Sequence, residues 1–403
     1  MASLKIKFPN KNGQLLSGRV ELPLNQKPKH FALFSHCFTC NKNLSAVRSI
    51  SRALIHKGFG ILQFDFTGLG ESEGDFSDSN FSGNVEDLIF AAEYLEKNFV
   101  APELLIGHSL GGAAAYFAAS NLKYIKAVAT IGAPSNPDHV EHLFEQSLEM
   151  IRHFGQAEVE LSGRPFIIKK HFLDDLKEKS LPKVVQSLQK AILILHSPQD
   201  TTVGIENAAT IYKAALHPKS FVSLDGADHL LTNRNDAEYV GQLIASWSVR
   251  YLSLKEEPKV ITSHQVAAVL KEEDSFTTTI KAGDHYFTAD EPEQVGGNNF
   301  GPTPYDLLAS SLAACTVMTL KMYANRKKWA IGDIQVHVNH KKEHADDCEH
   351  LNDQHKKMDI FERNLMFSGI ITDQQKAKLV EIADKCPVHK TLHSSVRVKT
   401  TVV

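Results

Sequence analysis

A mostly parallel, doubly wound α/β sheet under a helical cap, followed by a separate α+β domain, is the fold class that three observations on this 403-residue chain predict. Strand-length apolar runs alternate with helix-forming runs from Phe31 to Leu224, the rhythm of a parallel sheet wound by right-handed crossovers. Gly107-His108-Ser109-Leu110-Gly111 fits G-x-S-x-G and lies between the apolar run Leu104–Ile106 and the helix-forming run Ala113–Ala119, the strand–turn–helix setting this motif needs. Beyond a charged, Pro-containing stretch, Lys255–Ser263, the alternation gives way to paired strands and two helices.

Hydrophobic residues make up 42% and charged residues 23% of the chain, ordinary for globular protein, and the length suggests about two or three domains. A net charge of −3 gives no footprint for nucleic acid or a membrane surface. No run approaches the roughly 20 apolar residues of a membrane span, and Met1–Lys7 lacks the apolar core of a signal peptide, so a cytoplasmic protein with no membrane span is expected. Five widely spaced cysteines, an odd number, suit a reducing compartment with reactive or buried thiols, not a disulfide framework.

In chain order, Leu4–Phe8 and Leu15–Leu22 alternate around Asn10-Lys11-Asn12-Gly13 and predict a hairpin. Phe31–Phe34 is a buried strand running into Ser35-His36-Cys37-Phe38-Thr39-Cys40, and a helix follows over Leu44–His56. Gly60–Phe66 is the next strand and Val85–Phe99 the next helix, before the strand that ends at Ser109. Ala127–Ile131, Ala191–Leu195 and Phe221–Leu224 are three further strands. The mostly helical piece from about 134 to 190 breaks the rhythm and reads as a cap.

A serine hydroxyl is a weak nucleophile near neutral pH and needs a base, held in turn by an acid. Asp200 follows the strand Ala191–Leu195, and His229 follows Phe221–Leu224, each just past a carboxyl end, the edge where such sheets build sites. Ser109, Asp200 and His229 stand in the chain order expected of this elbow.

Residues 1–254 thus resemble an α/β-hydrolase of the serine-aminopeptidase and monoacylglycerol-lipase-like group, through Gly107–Gly112, Asp65-x-x-Gly68-x-Gly70-x-Ser72, Asp200 and His229. The resemblance implies Ser109 as nucleophile, His229 as general base, Asp200 as its orienting acid, and the amides of Leu110 and Phe38 as oxyanion hole. It implies a serine hydrolase of esterase, lipase or peptidase type acting on a small-molecule acyl substrate, with no cofactor and no metal. Where the family has His-Gly, this chain has His36-Cys37. Cys37-x-x-Cys40 also admits a redox or metal pair, in an oxyanion loop and not a thioredoxin turn.

The linker 255–263 leads into residues 264–403. Strands are predicted at Phe276–Lys281 and Asp284–Ala289 around Gly283, at Ile334–His340, at Asp359–Ile370 and, last, at Val396–Val403. Thr303 as N-cap, Pro304 and Asp306 open a helix whose apolar stripe is Leu308, Leu312, Cys315, Met318 and Met322. Thr372–Lys385 is a second helix with Cys386-Pro387 at its end. By residue chemistry alone Cys315 reads as a core position and Cys386 as a plain helix end.

Pro304–Leu308, Ala313-Ala314-Cys315-Thr316 and Asp384-Lys385-Cys386-Pro387-Val388-His389 resemble the OsmC family, and the tandem resembles a bacterial hydrolase–OsmC fusion. The resemblance implies a bifunctional, peroxiredoxin-like chain in which Cys315 is the peroxidatic and Cys386 the resolving thiol, with an organic hydroperoxide and a thiol reductant as partners, and a homodimer through this domain. The physics agrees with that order, since a helix carboxyl end disfavours a thiolate at Cys386. The family's Arg is missing from residues 264–300, where Lys271, Lys281 and His285 stand instead, and its Glu position holds Tyr305, one residue before Asp306. The alternative is a non-catalytic dimerisation module. His337, His340, His344, Cys348 and His350 are read either as metal ligands or as a solvated strand end.

Overall fold

The computed structural model describes residues 2–24, 27–161, 163–253, 260–272, 274–344 and 357–402, and the chain divides into two compact units at Lys259/Val260. Most of the expected linker, 255–259, and Cys348 and His350 lie outside the described residues.

The first unit runs β1 (Ala2–Pro9), β2 (Leu15–Leu22), β3 (His30–Ser35), α1 (Ser45–His56), β4 (Phe59–Phe64), α2 (Phe81–Asn98), β5 (Leu104–His108), α3 (Leu110–Asn121) and β6 (Ala127–Ile131). A capping segment follows: a 3₁₀ stretch Pro137–Ser147, α4 (Leu148–Phe154), β7 (Gln156–Leu161), β8 (Arg164–Lys169), α5 (Lys170–Lys177) and α6 (Leu181–Ser187). The unit closes with β9 (Ala191–His196), α7 (Glu206–Ala214), β10 (Lys219–Ser223) and α8 (Arg234–Ser248). Eight strands form one sheet in the order β1-β2-β4-β3-β5-β6-β9-β10, with β4 to β10 parallel and the β1–β2 hairpin added antiparallel.

Strands β3, β4, β5, β6 and β9 are buried along their whole length, as expected of a sheet covered on both faces. Their side chains pack with α1 and α8 around Ile50, Leu54, Ile106, Leu193, Val240 and Ile244. Trp247, at the end of α8, donates from Nε1 to Ser220 Oγ at 3.1 Å and packs on Tyr251. The cap corrects the sequence expectation in one respect: besides helices it contains the antiparallel β7–β8 hairpin, turned at Gly163 with φ +74°.

The second unit holds β11 (Val266–Leu270), β12 (Thr278–Ala282) and β13 (His285–Ala289) in one antiparallel sheet, then α9 (Pro304–Lys327). A long hairpin, β14 (Ile334–His344) with β15 (Lys357–Phe367), is followed by α10 (Asp373–Ala383) and α11 (Pro387–Leu392). Its core gathers Leu320, Ala324, Ile331, Leu379 and Ala383, with Trp329 edge-on to Tyr323. Thr303 and Asp306 close a reciprocal capping box at the start of α9.

Two expectations are corrected here. The buried face of α9 is Leu312, Thr316, Leu320 and Ala324, one step round from the predicted stripe, and Met318 and Met322 are 64% and 73% exposed. Among the described residues α9 is also the one helix long and apolar enough to cross a membrane by length and composition. Residues 393–402 form no strand, and among the described residues no strand pairs with their alternating valines.

Candidate active site

Ser109 occupies the turn between β5 and α3 with φ 55° and ψ −130°, a backbone conformation that costs a non-glycine residue about 1–3 kcal/mol. Tight packing enforces it. A Cβ on Gly111 would lie 2.2 Å from the His36 carbonyl oxygen, and one on Gly107 would lie 2.5 Å from the Gly111 carbonyl oxygen. The helix therefore starts directly against the loop that follows β3, and the serine is turned out at its amino end.

His229 Nε2 is 3.0 Å from Ser109 Oγ, and His229 Nδ1 is 2.6 Å from Asp200 Oδ2. Asp200 is buried, and its Oδ1 accepts the amides of Thr202 and Val203, each at 2.9 Å. Burial pushes this carboxyl up, but the His229 bond and the two amides outweigh it and hold Asp200 below the usual carboxylate range. Gly132, at φ +54°, makes room between them: a Cβ there would stand 3.2 Å from both Asp200 Oδ2 and His229 Nδ1.

Two further residues complete the frame. His108, beside the serine, donates from Nε2 to the His229 carbonyl oxygen at 2.7 Å. Burial, reinforced by the neighbouring His229, pushes its pKa down to about 3, so the ring is neutral. Lys42, its side chain 2% exposed, donates from Nζ to Asp65 Oδ2 at 2.5 Å and Glu71 Oε2 at 2.8 Å, while its amide donates to Asp65 Oδ1 at 2.7 Å. The Asp65-x-x-Gly68-x-Gly70 motif is thereby explained. Gly70 has φ +58°, and a Cβ on it would meet Asp65 Oδ2 at 2.2 Å, so the carboxylate sits where only glycine fits and pins the loop carrying Phe38.

That loop corrects the cysteine expectation: Cys37 and Cys40 form a disulfide. The bond spans Phe38 and Thr39, and Thr39 has φ +59°. The Phe38 ring stacks on Phe172 and tilts against Phe76, and Arg164 donates to the Thr39 carbonyl oxygen at 2.6 Å. Phe76, in the 3₁₀ turn Phe76–Asp78 ahead of α2, and Phe172 and Arg164 of the cap pack onto the loop.

In the second unit the two remaining described cysteines meet. Cys315 is half-buried on α9 and Cys386 is fully buried, and Cys315 is near enough to act on the Cys386 thiol. Cys386 is not a helix end, as the sequence suggested, but the N-cap of α11: Pro387 opens a new helix, and the His389 amide donates to Cys386 Sγ at 3.3 Å. Burial pushes the thiol up, but the His389 amide, Cys315 and Thr316 hold it below its ordinary value. The expectation that a helix dipole disfavours its thiolate is overturned. A cavity of about 740 Å³, lined by Tyr305, Leu308, Leu312, Phe361, Arg363 and His389 but by neither cysteine, lies in the same unit. His340 is held by Asp359 at 2.8 Å and stacked on Tyr305, and no metal-holding group of His, Cys, Asp and Glu occurs among the described residues.

The family model described as "Alpha/beta hydrolase family" matches residues 32–296, and the one described as "OsmC-like protein" matches residues 296–401. The chain belongs to the α/β hydrolase family. The esterase domain of a Rhodothermus marinus protein is 47% identical over 63% of this chain and 100% of that one, with a TM-score of 0.53. Est1E from Butyrivibrio proteoclasticus, solved with ferulic acid, is 19% identical over 61% and 98%, TM-score 0.51, and GrgF from Penicillium sp. sh18 is 18% identical over 62% and 99%, TM-score 0.52; both share the fold. No curated protein matches the chain. The hydrolase unit is followed by an OsmC-like domain.

In this hydrolase the three residues singled out in the sequence, Ser109, Asp200 and His229, are brought together, whereas the residues that support them were missed. His108 was in plain view inside the motif, and Lys42 stands two residues past Cys40.

Proposed function

We propose that the hydrolase unit is a serine esterase in which Ser109 attacks the ester carbonyl, His229 takes the hydroxyl proton and returns it to the leaving alcohol, and Asp200 holds the imidazole in the working tautomer. The amides of Leu110 and Phe38 receive the oxyanion, and water repeats the sequence on the acyl-enzyme. The observation that carries this reading is the continuous chain Ser109 Oγ, His229, Asp200 at a strained elbow. The similarity to an esterase domain favours an ester over an amide. A panel of p-nitrophenyl esters tests it: Ser109→Ala lowers kcat by about 10⁴–10⁶-fold and abolishes labelling by a fluorophosphonate. Labelling that survives the substitution places the nucleophile elsewhere.

For the OsmC-like domain the proposed activity is reduction of organic hydroperoxides by Cys315, with Cys386 resolving the sulfenic acid and a small-molecule thiol as reductant. The nearness of Cys315 to Cys386, with a partly apolar cavity close by, supports it. The competing reading, a dimerisation module with idle thiols, draws on the exposed Met318 and Met322. A homodimer through this domain fits both readings. Peroxide consumption by wild type against Cys315→Ser separates them, and light scattering reads the oligomeric state.

A further inference from the structure

We propose that Arg363, acting through the Thr316 hydroxyl, holds Cys386 as the thiolate of the pair, so that a Cys315–Cys386 disulfide is reopened by attack on Cys315 with Cys386 as the leaving thiolate. The inference rests on the reading of this domain as a working thiol pair.

Arg363 enters from β15 and its guanidinium is largely enclosed. Nη1 donates to Thr316 Oγ1 at 3.0 Å and to the Ala383 carbonyl oxygen at 3.1 Å, and Nη2 donates to Asp384 Oδ1 at 2.6 Å. The sequence offers no arginine in 264–300, so the cation that serves this site comes from a different strand.

Thr316 follows Cys315 on α9 and is fully buried. Its hydroxyl has one proton and two acceptors: the Leu312 carbonyl oxygen at 2.8 Å and Cys386 Sγ at 3.8 Å. Bonding back to the preceding turn is the ordinary resting choice of a helical threonine. A negative sulfur competes better for that proton, because a hydrogen bond to a charged acceptor is about twice as strong. Arg363 already donates to Oγ1, which polarises the hydroxyl and makes it the stronger donor. The positive charge thus reaches the sulfur across a single hydroxyl.

The other groups facing Cys386 do not cancel this. Cys315 on α9 favours its thiolate, and Asp384 is already taken by Arg363. From α11, the ring of His389 lies 4.0 Å from Asp384 and packs on His393, and burial and the nearby cations favour its neutral form.

The chemistry follows. Cys386 thiolate takes the proton of Cys315, and the Cys315 thiolate so formed attacks the peroxide: an S–O bond forms, the O–O bond breaks, and the departing alkoxide takes the proton back from Cys386 to become the alcohol. Cys386 thiolate then attacks the sulfenic sulfur of Cys315, forming the disulfide and releasing hydroxide, which a proton converts to water. A small-molecule thiolate reopens that bond. Exchange is faster when the departing sulfur is the more acidic one and the attacked sulfur is accessible. Cys386 is the stabilised leaving group and is buried, whereas Cys315 is half-buried, so both factors select Cys315 as the sulfur attacked. The thiol is left in a mixed disulfide on Cys315, and a second equivalent releases it as its own disulfide.

The test uses the full chain with Cys348→Ser to remove the fifth cysteine. In a Cys315→Ser background, thiolate absorbance is followed against pH. Arg363→Gln and Thr316→Val are each expected to raise the Cys386 midpoint by about one unit, a roughly tenfold fall in thiolate at a pH below it. Thr316→Ser keeps the wild-type midpoint. Equal midpoints in all variants overturn the proposal, and should Arg363→Gln fail to fold, the Thr316→Val and Thr316→Ser pair decides. With Cys315 restored, oxidised protein given one equivalent of thiol is mapped: a mixed disulfide on Cys315 is expected, and one on Cys386 overturns the assignment. Peroxide consumption is measured separately, so a failed peroxidase reading and a failed electrostatic one are told apart.

Discussion

His108 Nε2 donates to the backbone carbonyl oxygen of His229 at 2.7 Å, so the residue preceding the serine fixes the loop that carries the histidine opposite it. The ring is fully buried and neutral, and the bond needs only its N–H. His108→Phe keeps an aromatic ring and loses the donor, freeing the His229 loop. A fall in kcat of about 10–100-fold on p-nitrophenyl esters is expected, with KM little changed, because misplacing a base affects the transition state more than ground-state binding. An equal fall in stability and activity in His108→Phe would instead mark a purely structural contact.

Reduction of the Cys37–Cys40 disulfide is expected to lower esterase kcat by about three- to tenfold, since Phe38 lies inside the ring the bond closes. Cys37→Ser with Cys40→Ser should show the lower rate with or without reductant. The assay is initial rate before and after treatment with a phosphine, and a rate insensitive to reduction argues that the cap contacts of Phe38 hold the loop unaided.

Lys42→Ala leaves Asp65 buried without its cation. A loss of roughly 3–5 kcal/mol in unfolding free energy is expected from removing one partner of a buried pair. Urea denaturation of the full chain, followed at the first unit, measures it. Glu71, at the exposed end of the network, contributes far less, and Glu71→Gln should be close to silent.

Asp87 gives a pH signature. Burial pushes its pKa up to about 6, against bonds from the Thr67 amide and hydroxyl at 2.9 and 2.8 Å. The folded state binds this proton more tightly than the unfolded chain does. Its contribution is therefore fully present below the unfolded carboxyl value and is lost as pH rises through about 6. Asp87→Asn, which keeps an acceptor for Thr67, should match wild type near pH 4 and exceed it at pH 7 by about 1–3 kcal/mol. Unfolding curves at the two pH values check both sign and size.

The elbow and its partners were legible because each lies at the end of an apolar strand, where a local pattern carries the signal. Arg363 was not, since it stands 47 residues from Thr316 and only the β14–β15 hairpin brings it to α9. Cys386 misled for a local reason: Cys-Pro after a helix reads as a stop, whereas Pro387 here starts the next turn of chain. The C-terminal valines alternate as a strand does, but pairing needs a neighbour, and alternation alone does not supply one. Gly163 between alternating residues was the available sign of the β7–β8 hairpin, obscured by the helical runs around it.

The chain has two tryptophans, and they fall one to each unit: Trp247 bonded to Ser220 and packed on Tyr251, Trp329 edge-on to Tyr323. Nature has therefore wired each half with its own lamp. Trp247→Phe leaves emission from the OsmC-like domain alone, and Trp329→Phe leaves emission from the hydrolase alone. The melting of either half becomes visible in the intact molecule without a dye, a label or a cut.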